Sequence, residues 1–204
     1  MLGDTAWSTR GAFKTEAKKV VVGHYQLHPP EALGVSAPDA HQRAVDFTKD
    51  RVEYLQINHR FLYGPFNGHN FEPFANTAIC TVIERSLFRS LTRESRQMLN
   101  PMPLPLVALA ATCIHNSLDE WVSGYYIRRP MKEEYYGATY RMYENKLEYF
   151  KSKVPNRYNI LMSAIFTFCS QAARNVPEDA PAENDDEKWQ LFEDDPEDDE
   201  PLAY

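Results

Sequence analysis

The chain lacks the patterns that mark the common enzyme classes. No GxxxxGK[ST], GxGxxG, GxSxG, HExxH or DxDxDG run occurs in its 204 residues. The usual phosphate-cradling loops, the nucleophile elbow, the zinc-protease helix and the EF-hand loop are therefore disfavoured. It also has no CxxC pair. Its three cysteines, Cys80, Cys113 and Cys169, stand far apart, which argues against a zinc site built on thiolates. Each lies in an apolar helical pattern, so free buried thiols in a reducing compartment are expected. The first ten residues lack the apolar run of a signal peptide, and no Asn-x-Ser/Thr sequon is present. The longest apolar stretch, Pro103 to Ile114, is too short to span a bilayer. The expectation is an intracellular protein, nuclear or cytoplasmic and not secreted, with no membrane contact.

What is present is a strong asymmetry of charge. Residues 176–204 hold thirteen Asp or Glu and one basic residue, Lys188, so they carry about −12, whereas the whole chain carries −7. Residues 1–175 are therefore mildly basic, at about +5. The high charge, prolines and few apolar groups of the tail meet the compositional criteria for disorder. Inside it lies one apolar island, Trp189, Leu191 and Phe192, in the run Glu187-Lys-Trp-Gln-Leu-Phe-Glu-Asp-Asp195. Three readings of this tail stand: a plain solvating tail, a partner-binding motif that folds on contact, or a segment that folds back on the basic body.

The body itself reads as helices separated by Pro and Gly. A first helix is expected from Phe13 to Tyr25, with a strand as competitor over Val20 to Val22. A Pro-rich loop follows, then a helix that Asp39 caps and that ends near Asp50. Residues 51–70 show no sustained period and read as an ordered loop, with a short piece near Val52 to Ile57. A helix from about Pro73 buries Ala78, Ile79, Val82, Ile83 and Leu87 and carries Arg85, Arg89 and Arg93 on its other face. Pro103 and Pro105 open the most apolar helix, Leu104 to Val122, and Gly124 stops it. The next helix has a seam of Tyr136, Tyr140, Tyr143, Leu147, Phe150 and Val154, spaced alternately by four and three. A last helix, about Asn156 to Asn175, presents Tyr158, Leu161, Met162, Ile165, Phe168, Cys169 and Ala172. The expected fold is all-α, a single globular domain of about six helices around a central apolar helix. Its bounds are a flexible N-terminus (1–12), a helical domain (13–175) and a disordered acidic tail (176–204).

The run from Asn100-Pro-Met-Pro-Leu-Pro through His115-Asn-Ser-Leu-Asp-Glu-Trp-Val-Ser-Gly124 resembles the domain-of-unknown-function 6532 family, abundant in mushroom-forming fungi. Members similarly show paired prolines, an apolar helix and a Leu-x-Glu-Trp-x-x-Gly ending, followed by a Tyr-containing helix. Ala17 to Tyr25, Phe61-Leu-Tyr-Gly64 and Phe74 to Phe88 are also similar, so the resemblance covers most of 15–175. It implies an all-α intracellular domain and brings no activity and no functional residue.

Four groups of residues carry candidate chemistry. His115 and Asp119 lie one helical turn apart and could form a metal pair or a base couple; without a third ligand or nucleophile they read better as a polar helix end. Trp121 beside them reads as a partly buried anchor, with a neighbouring carboxylate paired to Arg128 or Arg129. A pocket at His115, Asp119 and Trp121 is what an unfamiliar enzyme would require. His41, His59 and His69 are scattered, and a metal held by His59 and His69 has only weak support. Residues 126–157 carry eight Lys or Arg against four Glu, interleaved with Tyr125, Tyr126, Tyr135 and Tyr149. Arg128, Arg129, Lys132, Arg141 and Tyr135 form the face that would hold phosphates and bases, or the tail; a solvated helix face is the bland alternative. The reading is a non-enzymatic interaction module without cofactor or catalytic residue. Its tail, through Trp189, Leu191 and Phe192, binds a basic or groove-bearing protein, with transcription or chromatin as the specific nuclear version. The runner-up is a nucleic-acid-binding domain gated by the tail. The oligomeric state stays open.

Overall fold

The computed structural model describes residues 2–29, 37–66 and 70–174. The acidic segment with Trp189, Leu191 and Phe192 lies outside these, as does His69. The fold is all-α, with seven α-helices and one small hairpin among the described residues.

Helix α1 spans Leu2–His24. It therefore takes in most of the segment expected as a flexible N-terminus, because residues 2–12 hold no proline and helix-tolerant Ala, Leu and Arg. The valine run at 20–22 is helical, not a strand. Phe13, Ala17, Val20 and Val21 recur at helical spacing and are buried. Helix α2 spans Ala37–Gln56 and continues past the expected end near Asp50, since nothing after it breaks the helix until Ile57. It is tied to the end of α1 by Thr48 Oγ1 donating to the Leu27 carbonyl (2.6 Å) and Arg51 Nε to the Tyr25 carbonyl (2.9 Å).

The segment expected as an ordered loop is more regular than its sequence suggests. A 3₁₀ turn covers Ile57–Leu62. Strands β1 (Gly64–Phe66) and β2 (Asn70–Glu72) then pair antiparallel, with Gly64 opposite Glu72. Two three-residue strands leave no room for a period to show.

Helix α3, Thr77–Ser86, starts later than Pro73 because Asn76 caps it, its side chain accepting from the Ala78 amide at 2.9 Å. It stops at Leu87, where φ is −133°. Arg89 consequently sits in a 3₁₀ turn, Phe88–Ser90, and pairs with the buried Glu84 at 2.9 Å. The expected row of Arg85, Arg89 and Arg93 does not form, since Arg93 begins a separate short helix, α4 (Arg93–Gln97).

Helix α5, Leu104–Asp119, is the centre of the fold and buries Val107, Ala108, Ala110, Ala111, Cys113, Ile114 and Leu118. The alanines let neighbours approach closely: α1, α2, α3 and α6 all pack on it. Pro105 falls in its first turn, where no amide partner is lost. Gly124 ends the following turn with φ +88°, and a Cβ there would lie 2.4 Å from the Val45 carbonyl oxygen. Only glycine meets both demands.

Helix α6 spans Glu133–Lys153 and α7 Pro155–Ala172. The seam on α6 packs within the chain: Tyr143 and Leu147 are fully buried, and Tyr140 and Phe150 lie partly buried against the core. On α7 the buried aromatics are Tyr158 and Phe166, while Phe168 is 39% exposed. Phe166 stands four residues after Met162 and meets Phe88 at 6.0 Å, so contact with the 3₁₀ turn after α3 selects it. Cys80, Cys113 and Cys169 are free and buried. No helix of the described residues is long and apolar enough to cross a membrane.

Candidate functional site

The C-terminal end of α5 gathers the residues singled out from the sequence. Its second-last turn places His115 towards α6, where Nδ1 stands 2.6 Å from the Tyr143 hydroxyl. That hydroxyl is also 3.3 Å from His59 Nδ1. With one phenol proton, Tyr143 donates to one ring and accepts from the other; donation to His115 is the direction that turns its Nε2–H towards Asp119. His115 Nε2 then faces Asp119 Oδ1 at 3.7 Å, too long for a hydrogen bond. Asp119 instead accepts from Gln56 Nε2 (2.6 Å) and the Tyr136 hydroxyl (2.9 Å). Phe61 closes the group edge-on, 5.7 Å from the His115 ring.

His59 reaches this cluster because Asn58 and His59 both adopt left-handed conformations, each with φ 54°. Such backbone costs of order 1–3 kcal/mol per residue and persists only where the surroundings hold it. Burial lowers the pKa of both His115 and His59; Asp119 partly offsets this at His115, and Lys146 adds to it at His59. Burial pushes the Tyr143 hydroxyl well above its ordinary value, with Asp119 adding to the effect.

One turn on, Glu120 is almost completely buried, with 1% of its side chain exposed. Lys14 Nζ from α1 meets it at 2.9 Å and also donates to Ser117 Oγ at 3.0 Å. Lys18 lies 3.9 Å away, and the Arg129 amide donates to Glu120 Oε1 at 3.2 Å. Burial outweighs the attraction of Glu120 and lowers the Lys14 pKa to about 8. The carboxylate expected to pair with a guanidinium of Arg128 or Arg129 therefore takes two lysines and a backbone amide. Trp121 is half-buried between His28 and Tyr126, with ring centroids at 5.3 and 5.5 Å. Lys14 and Glu120 were missed as a pair because a hundred residues separate them. The only signal was a lysine on the same stripe of α1 as Phe13, Ala17 and Val21.

His115 and Asp119 thus take their hydrogen bonds from Tyr143, Gln56 and Tyr136 rather than from each other. Most polar groups of the cluster bond to one another, Asn116 Oδ1 being buried without a partner, and none of His115, Asp119 and Trp121 lines the nearby depression of about 370 Å³ bounded by Lys49, Glu53, Gln56, Ile57 and Val122. Among the described residues no group of three or more His, Cys, Asp or Glu could hold a metal ion. His59 is bound into the tyrosine network, and His41 is exposed on α2.

The open feature is a groove of about 520 Å³ between α1, α5, α6 and the segment before α6. Leu106, Leu109 and Met131 give it an apolar lining, and Arg10, Lys132 and Arg141 stand around it with one acid, Glu133. Two members of the basic face read from the sequence, Lys132 and Arg141, therefore share one concavity. Tyr135 is exposed outside it, as are Arg128 and Arg129. A shallower depression of about 670 Å³ on the outer face of α6 includes Arg141, Lys146 and Tyr149.

Two results are expected from the cluster. Lys14→Met leaves Glu120 buried without its main partner and lowers unfolding free energy by about 3 kcal/mol in urea denaturation, and adding Glu120→Gln restores most of it. Recovery by the double variant is the diagnostic; additive losses would show that the pair is not the coupling. Acid should also destabilise the fold. His59, His115 and His24 all have folded pKa values below the ordinary 6.5, so below pH 6.5 the unfolded chain takes up protons that the folded chain refuses. The melting temperature is therefore expected to fall as pH drops below 6.5. The His59→Gln/His115→Gln double variant should flatten most of that fall, leaving a residue from His24.

Comparison with protein families places the chain. Residues 1–150 match the family described as Domain of unknown function (DUF6532), and the chain belongs to that family. The match starts earlier than the resemblance over 15–175 and ends before α7, so it spans α1 to nearly the end of α6. None of the curated proteins and none of the solved structures compared with the chain matches it.

Proposed function

We propose that this member of the family is a non-enzymatic interaction module. The observation that carries the reading is the contrast between the polar cluster at the end of α5 and the groove between α1, α5 and α6. The polar cluster at the end of α5 is closed on itself, whereas the groove between α1, α5 and α6 presents apolar surface with cations around it. A surface of this composition suits a polypeptide ligand bearing both acidic and apolar side chains. The chain carries such a segment itself, at Trp189, Leu191 and Phe192. This segment offers an apolar edge flanked by carboxylates to a basic or groove-bearing protein. The three buried free cysteines favour an intracellular setting, and the acidic–aromatic composition fits a nuclear partner best.

A second reading has its own support. Tyr125 and Tyr135 are 57% and 62% exposed near Arg128 and Lys132 in sequence, and stacking groups interleaved with cations suit single-stranded nucleic acid.

One pair of experiments separates the two. Trp189→Ala with Phe192→Ala is expected to abolish partner capture in affinity pull-downs while the thermal melt stays that of the parent. Capture that survives the double variant would mean that the segment is not the contact. Anisotropy of labelled DNA and RNA over a salt series, with the full chain and with a version ending at Asn175, is expected to show no binding by either form. Binding that weakens steeply with salt would promote the nucleic-acid reading instead.

A further inference from the structure

We infer that the groove between α1, α5 and α6 is the docking site of the chain's own segment Glu187–Asp195. This rests on the reading of Trp189, Leu191 and Phe192 as a ligand for basic grooves, and it names a groove that would receive them.

Complementarity of charge is the first argument. The chain outside the described C-terminal end carries about −12, and the groove is bordered by Arg10, Lys132 and Arg141 against a single acid, Glu133. In the nine-residue segment the acids Glu187, Glu193, Asp194 and Asp195 stand at both ends, and the apolar side chains stand between them. A groove with apolar lining and cationic surroundings matches that order. Trp189, Leu191 and Phe192 would shed water against Leu106, Leu109 and Met131, and the flanking carboxylates would meet guanidinium and ammonium groups.

Reach is the second. The last described residue is Arg174, and Trp189 stands fifteen positions after it. Fully extended, that length spans about 50 Å, against a radius of gyration of about 16 Å for a domain of this size. That length exceeds the roughly 40 Å width of such a body, so much of its surface is within range, and a tether this short presents its end at an effective concentration in the millimolar range. A contact too weak to hold a free peptide would therefore hold this one.

The third is Gly137, which lines the groove in the first half of α6. A glycine inside a helix costs about 1 kcal/mol relative to alanine. Here it is not required by the backbone or by crowding: its nearest neighbours to an added Cβ are Glu133 Cγ at 3.4 Å and Arg141 Nη1 at 3.6 Å, which is ordinary contact. What the missing side chain does is leave the groove open. A Cβ at this position meets only side-chain atoms, at ordinary contact distance, and a large side chain extends from it over the groove lining, which makes it the variant of choice.

The test uses the full chain with the photo-crosslinker p-benzoylphenylalanine in place of Phe192, followed by mapping of the cross-linked peptides. The expected result is cross-linking within the monomer to residues 105–112 or 131–141. It should be lost at 1 M salt, where the screening length is about 3 Å, and lost in the Gly137→Trp variant and in the Lys132→Glu/Arg141→Glu variant. Thermal melts of both variants should match the parent or exceed it, showing that the groove and not the fold was altered. Cross-links confined to a dimer band would place the segment on a second copy, and cross-links elsewhere on the body, or persisting in Gly137→Trp, would remove the groove as the site; each overturns the inference. Failure here is distinguishable from failure of the proposed function. If the groove is wrong but the segment is still a ligand, partner capture remains sensitive to Trp189→Ala/Phe192→Ala. If the segment is no ligand at all, both signals are absent.

Discussion

The ion pair between Lys14 and Glu120 is the constraint around which the fold is organised. A carboxylate with 1% of its side chain exposed must be paired and hydrogen-bonded wherever it sits. Here the partner comes from the middle of α1, and the Arg129 amide completes the coordination. The backbone carbonyl of Glu120 also accepts from the Ile127 amide at 2.7 Å. One residue at the end of α5 thereby holds α1 in register, turns the chain back after Gly124, and sets where the segment leading to α6 begins. The groove exists because α1 and α6 are both held against α5 while that segment passes between them.

A few ångströms away the histidine–tyrosine network does similar work for other elements. Tyr143 on α6 binds His115 on α5 and His59 in the turn after α2, and Asp119 draws in Gln56 and Tyr136. Histidine, tyrosine and aspartate together would suggest catalysis to anyone reading the residue types. In this structure the groups bond chiefly within the protein: Tyr143 bridges the two histidines and Asp119 accepts from Gln56 and Tyr136. The cost of two left-handed residues at Asn58 and His59 is met by the contacts they enable.

Much of the fold was legible in the chain. The all-round apolarity of Leu104 to Ile114 marked the central helix, and the four–three spacing of Tyr136 to Phe150 marked α6, since burial selects residues by periodicity alone. Boundaries were less legible. The start of α3 depended on the Asn76 cap rather than on Pro73, and Phe166 replaced Phe168 in the core because Phe88 lay opposite it. The hairpin at Gly64 to Glu72 was too short for its alternation to register.

The candidate site divides along the same line. By itself, the sequence determined the charge asymmetry between body and tail, the apolar island at Trp189 to Phe192, the basic and tyrosine-rich content of 126–157 and the helical class, since these depend on composition and local spacing. Tertiary structure alone decided that Lys14 would meet Glu120, that one tyrosine hydroxyl would bridge His59 and His115, and that Arg10, Lys132 and Arg141 would stand around one groove. Each of those joins residues far apart in the chain: 106 positions between Lys14 and Glu120, 56 between His59 and His115, and 122 between Arg10 and Lys132. No local pattern encodes such a meeting; it follows from how helices are brought together by the burial of their apolar faces.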